Sequence, residues 1–234
     1  MTFAETFEQL RALGSEQTRK TYRRHGAGDN LFGVSFAALG QLKKEFVGRG
    51  KDKTQAHELA RQLWQTQNID AQLLATMIAD PARLTEAEAR AWVADCQWHC
   101  VSDSLASLIC QTPFAEAHLQ ELQAATAPEQ SQRVGYAILS RLAQLADARP
   151  DVWFLAQAEA IEPRLHQAPN RAKEAMNTAL IAIGGRSEEL RQHVEHIADR
   201  LGPVSIDHGD TACQTFEIKP YLAKIWARKH AVKA

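Results

Sequence analysis

Apolar and polar residues almost never alternate along these 234 residues, and without that alternation a half-buried sheet has no sequence support. Cysteine is scarce. The four present, Cys96, Cys100, Cys110 and Cys213, are neither dense nor framework-spaced, which excludes a disulfide scaffold and fits reduced thiols in a cytosolic protein. No window approaches the roughly 20 apolar residues that a membrane-crossing helix requires. The start, MTFAETFEQLRAL, lacks a basic segment followed by an apolar one, so a soluble cytoplasmic protein with no membrane role is expected. Neither sign of charge dominates, since 27 Lys and Arg stand against 28 Asp and Glu for a net charge of −1. No shift of composition divides the chain, and one domain spanning 1–234 is expected.

What is present is helical periodicity. Phe36, Leu39, Leu42 and Phe46 fall at helical spacing, as do Leu73, Leu74, Met77 and Ile78, then Val101, Leu105, Leu108 and Ile109, then Ile138, Leu139, Leu142 and Leu145. Breaks carry start and stop chemistry: Asp80-Pro81, Thr85 with Glu88 as a capping box, Pro113, Pro128, Pro150, Pro169, and Gly184-Gly185 before Ser187 as an N-cap. About a dozen moderate helices follow, and short links between them favour antiparallel pairs stacked side by side over a single four-helix bundle. The one clearly non-helical segment is Gly202 to Thr211, whose Asp207, His208 and Asp210 read as turn and cap formers before they read as ligands.

Charge is unevenly placed. Residues 1–53 carry ten Lys and Arg against six acids, residues 54–165 seven against fourteen, and residues 166–234 ten against eight. The cations cluster at Arg19, Lys20, Arg23, Arg24 and His25, again at Lys43, Lys44, Arg49, Lys51 and Lys53, and again at Lys224, Arg228, Lys229 and Lys233. Such clusters are either solvated helix faces or the footprint of a polyanion.

Two blocks carry a resemblance. From Leu31 to Pro81 the chain reads LFGVSFAALGQLKKEF, a basic interruption, then HELARQLWQTQNIDAQLLATMIADP; from Asn170 to Leu222 it includes NRAKEAMNTALIAIGGRSEEL and GPVSIDHGDTACQTFEIKPYL. Both are similar to the AlkD-like DNA alkylation repair proteins. The resemblance implies an all-α fold, an α-solenoid of antiparallel HEAT-like helix pairs in a curved right-handed array with a concave groove. It implies double-stranded DNA, alkylated or branched, as partner, no cofactor and no metal, a monomer, and a location in the cytoplasm or on the nucleoid when DNA is bound.

Glycosylases of that family release cationic N3- and N7-alkylated purines. Bond breaking builds positive charge on the sugar, which a fixed carboxylate stabilises, while an aromatic face favours cationic groups. An aromatic and an aspartate one turn apart on a helix would suffice, and the matching segment is DCQWHCVSDSLASLI. Anchored on Trp98 it offers Ser102 four residues later; anchored on Asp103 it offers His99 one turn before, so one member is changed in either register. Trp98, His99 and Asp103 are the catalytic candidates, against a reading of Trp98 as core and His99–Asp103 as a surface pair. The family's phosphate-binding arginine is best matched by Arg133, with Arg19, Lys20, Arg23, Arg24, Lys43 and Lys44 as further DNA contacts. Zinc held by Cys96, His99, Cys100 and Cys110 is rejected because one helix rarely aims three ligands at one point, even with Cys96 and Cys100 on one face. A Cys100–His99 nucleophile is rejected because adjacent side chains diverge on a helix. The alternatives to a glycosylase are a non-catalytic binder of damaged or branched DNA and a protein-binding helical scaffold.

Overall fold

The computed structural model describes residues 1–145 and 149–233, with only the backbone for 232 and 233. The side chain of Lys233, a member of the C-terminal basic cluster, therefore lies outside the described residues. Thirteen α-helices and no strand occur among the described residues, and no helix is long and apolar enough to cross a membrane. Two compact units emerge: Met1–Glu116 with His208–Ala212, and the described residues of Ala117–Asp207 with Cys213–Ala234.

The first unit holds α1 (Phe3–Leu13), α2 (Glu16–Arg24), α3 (Phe36–Lys43), α4 (Lys53–Gln65), α5 (Ile69–Ile78), α6 (Glu86–Asp95) and α7 (His99–Ile109). Side-chain caps start most of them: Thr2 with Glu5 in a reciprocal box, Ser15, Ser35, Asp52, Asn68 and Thr85 each accept from a first-turn amide, a contribution of about 1 kcal/mol apiece. The capping box expected at Thr85 forms by half. Thr85 accepts from the Glu88 amide at 3.2 Å, but the Glu88 carboxylate turns to Arg61 at 2.7 Å and to His57 at 3.5 Å.

Helix α5 is buried on nearly every side, as its continuous Ala, Leu and Ile content requires, and it packs on α4, α3 and α7. One of its residues is a fully buried carboxylate. Asp70 accepts the backbone N–H groups of Phe32, Gly33 and Val34 at 2.5, 3.0 and 2.8 Å, which fixes the Phe32-Gly33-Val34-Ser35 turn ahead of α3. Burial pushes the Asp70 carboxyl above its ordinary value, against the pull of those amides. Gly33 has φ +76°, and a Cβ there would meet the Arg19 amide and the Ser15 carbonyl at 2.7 Å, so only glycine fits. A second brace stacks Trp64 on Trp92 at 4.4 Å with the Trp64 indole donating to Asp95 at 2.9 Å.

The second unit holds α8 (Leu119–Leu122), α9 (Glu129–Gln144), α10 (Asp151–Ile161), α11 (Asn170–Gly184), α12 (Glu188–Leu201) and α13 (Ile218–Lys233). Its centre is the pair α9 and α11, both buried along most of their length. Arg186 closes one end: its guanidinium bonds Asp151 and the carbonyls of Leu145 and Arg149 and lies over the Phe154 ring at 4.4 Å. Ser187 caps α12 as expected. The irregular segment runs from 202 to 217, longer than its turn-forming residues suggest. Asn170 pins it by giving its amide to the Asp207 carbonyl at 2.7 Å and accepting the Asp207 N–H at 2.8 Å.

Candidate nucleic-acid interface

Trp98 does not sit on a helix. It is the N-cap of α7, with extended backbone and no side-chain cap, because the chain breaks between Asp95 and His99 where the sequence suggests continuous helix. The indole turns inward, 2% exposed, packs on Tyr22 at 4.8 Å and donates to the His25 carbonyl at 3.0 Å. Tyr22 in turn donates to the Val34 carbonyl at 2.7 Å. Ser102, four residues on, is fully buried and bonds back to the Trp98 carbonyl. Trp98 and Ser102 thus share an inward face. His99 and Asp103, one turn apart and half-buried, share another.

The break also separates the cysteines. Cys96 caps the end of α6, outside the helix that bears Cys100, so the two do not share a helix face as expected. Burial pushes the Cys96 thiol up to about 12, so it is protonated near neutrality. Among the described residues no three His, Cys, Asp or Glu side chains converge as a metal site.

Arg133 lies near the start of α9, 7% exposed. Its guanidinium donates to Glu174 of α11 at 2.7 Å and to the Arg171 carbonyl at 3.1 Å, and Arg171 adds a second bridge to Glu174 at 3.1 Å. Burial pushes the Glu174 carboxyl up, but Arg133, by charge and by hydrogen bond, and then Arg171 bring it below the usual carboxylate range.

The two predicted cation clusters of the first unit lie on α2 and in the stretch after Leu42, while the exposed Arg11, Arg61, Arg83 and Arg90 are each paired with an acid. On α2, Arg19 pairs with Glu16 at 2.9 Å and donates to the Phe32 carbonyl, and Arg23 pairs with Asp29 at 3.0 Å. Lys20 and Arg24 are exposed and in no ion pair among the described residues. In the stretch after Leu42, Lys43, Lys44, Arg49, Lys51 and Lys53 are all exposed, and among the described residues Lys44 alone of the five has a side-chain hydrogen bond, to Gln41 at 2.9 Å. Arg49 sits between Gly48 at φ +150° and Gly50 at φ +80°. These are solvated point charges.

A model of the DNA alkylation repair enzyme family matches residues 6–209. The chain belongs to that family. Two uncharacterized proteins, Lmo0209 of Listeria monocytogenes serovar 1/2a and Lin0241 of Listeria innocua serovar 6a, are each 26% identical to it over 96% of this chain and 97% of theirs. A solved structure from a family of proteins related to the HEAT-like repeat DNA glycosylases, with affinity for branched DNA structures, superposes with a TM-score of 0.85 at 24% identity. It covers 98% of this chain and 95% of its own. The HEAT-like all-α fold is therefore shared.

For this member of the family, two structurally important acids escape a sequence reading. Asp70 was marked only by a charge inside the apolar run NIDAQLL, and Glu174 by nothing beyond its place on an amphipathic helix.

Proposed function

We propose that this protein binds DNA through its solvated lysines and arginines and holds branched DNA without excising bases, as a single 1–234 binding domain. The observation that carries the reading is the engagement of Arg133 and Trp98 within the fold. The arginine is buried on Glu174 and the indole faces Tyr22, so neither offers the free guanidinium or the open aromatic face that lesion excision calls for. Binding is electrostatic and needs no cofactor. Lys20, Arg24 and the 43–53 stretch supply phosphate contacts without base readout. The affinity for branched structures of the related solved family supports the choice of DNA form.

Excision is the second reading, favoured by His99 and Asp103 lying one turn apart on a half-buried face of α7. In it Asp103 stabilises the oxocarbenium-like sugar and positions water, and His99 packs against the base. Fluorescence anisotropy of a labelled four-way junction and of a linear duplex of equal length tests binding; release of 7-methylguanine from methylated DNA tests excision. Tighter junction binding with no release is expected. Base release by the wild-type protein would overturn the non-catalytic reading, and absence of any DNA binding would favour a protein scaffold.

A further inference from the structure

The first unit contains a cavity of about 390 Å³ between the start of the basic stretch, the end of α5 and the outer face of α7, within the range of small-molecule sites. Its floor is apolar, built from Phe46, Met77, Ile78 and Leu108. Its rim is polar, with Ser104 and Ser107 on α7 and Gln111 just past the end of that helix. Ser107 lies one turn beyond Asp103 and donates to its carbonyl at 2.8 Å, and Gln111 donates to the Ser107 carbonyl at 2.8 Å. The stripe that begins at His99 and Asp103 therefore runs into this cavity, and the Ser107 hydroxyl and Gln111 carbonyl keep acceptor capacity. Lys43 and Lys53 also line it, and among the described residues neither is in an ion pair. The acid on the wall, Asp80, is already held by the Ala82 amide at 3.1 Å and paired with Arg83 at 3.6 Å, so the net charge presented to a ligand is positive.

We infer that this cavity receives one unstacked nucleotide of branched DNA. An apolar floor takes the flat face of a base, serine and amide groups meet its edge, and two ammonium groups flank the phosphate. Branch points supply such a nucleotide at lower cost than linear duplex, because the continuous base stack is interrupted there. The inference rests on the DNA-binding reading and gives that reading a reason to prefer branches over linear duplex.

The test places 2-aminopurine at the branch point of a labelled four-way junction and reads its fluorescence beside anisotropy. The cavity has no Trp or Tyr in its lining to quench an unstacked base, so the wild-type complex should brighten. The double variant Ser104→Leu with Ser107→Leu fills the cavity and should lose the brightening, with junction affinity falling toward that for linear duplex. Far-UV circular dichroism checks that it folds. Lys43→Gln with Lys53→Gln changes only exposed side chains and should also diminish the signal. A junction complex that forms by anisotropy yet stays dark at every branch position, or a cavity-filled variant that brightens like wild type, overturns the nucleotide site. No anisotropy change with any DNA overturns the DNA-binding reading itself, and the two failures are distinguishable.

Discussion

Arg133 ties α9 to α11 by giving its guanidinium to Glu174 and the Arg171 carbonyl. Arg133→Ala should therefore lower stability by about 1–3 kcal/mol, because the half-buried Glu174 loses one bridge while keeping that to Arg171, and the Arg171 carbonyl loses a donor. It should leave the salt dependence of DNA binding unchanged, whereas loss of a phosphate contact would reduce the slope of log K against log salt by about 1. Glu174 adds a pH signature. Its pKa in the fold lies below the ordinary 4.5, so its contribution is fully present above that value and lost as pH falls through the folded value. The melting-temperature gap between wild type and Glu174→Gln should be widest near neutrality and narrow as pH drops below 4.5; a constant gap would mean the carboxylate charge is irrelevant. Asp103 is the residue that separates the two readings of function. Should wild type release 7-methylguanine, Asp103→Asn ought to bind DNA normally and lose a hundredfold or more in rate, roughly 3–4 kcal/mol of electrostatic stabilisation. Full release by that variant would place the acid elsewhere.

At the scale of elements, local chemistry was legible in the sequence and distant chemistry was not. Apolar spacing marks the helices, and Thr85 and Ser187 mark two starts, because a cap and its amide lie within four residues of each other. The break before α7 carries no proline or glycine, only Cys96-Gln97-Trp98, so helical periodicity runs through it unmarked. The Asp70 brace spans 36 to 38 residues of sequence, and no local pattern encodes such a pairing. Asp70→Ala should cost several kcal/mol in chemical denaturation, since each buried amide it abandons costs about 1–3 kcal/mol. A loss under 1 kcal/mol would show that water replaces the carboxylate. The α2 cations divide similarly: Arg19 and Arg23 are already paired, and Lys20 and Arg24 are in no ion pair among the described residues. Neutralising Lys20 and Arg24 should reduce the salt slope by up to about 2, with less effect from Arg19 and Arg23. Equal effects from the two pairs would mean the intramolecular partners are released on binding.

For the whole molecule, a net charge of −1 coexists with membership of a DNA repair family because charge sign varies along the chain, with cations gathered in its first 53 residues and acids in its middle. The family and its all-α fold could be read from two extended blocks of sequence. The site could be read only as a choice between registers at Trp98, and that choice depends on a side chain turning inward to Tyr22, a contact set by tertiary packing. The measurement closest to the central claim is a salt titration of binding to a four-way junction alongside a linear duplex of the same length, followed by anisotropy. The expected result is tighter binding of the junction with a steep loss of affinity as salt rises, each phosphate contact adding roughly −0.9 to the slope. Equal affinities for the two DNA forms would contradict branch recognition, and affinity indifferent to salt would contradict the lysine and arginine interface.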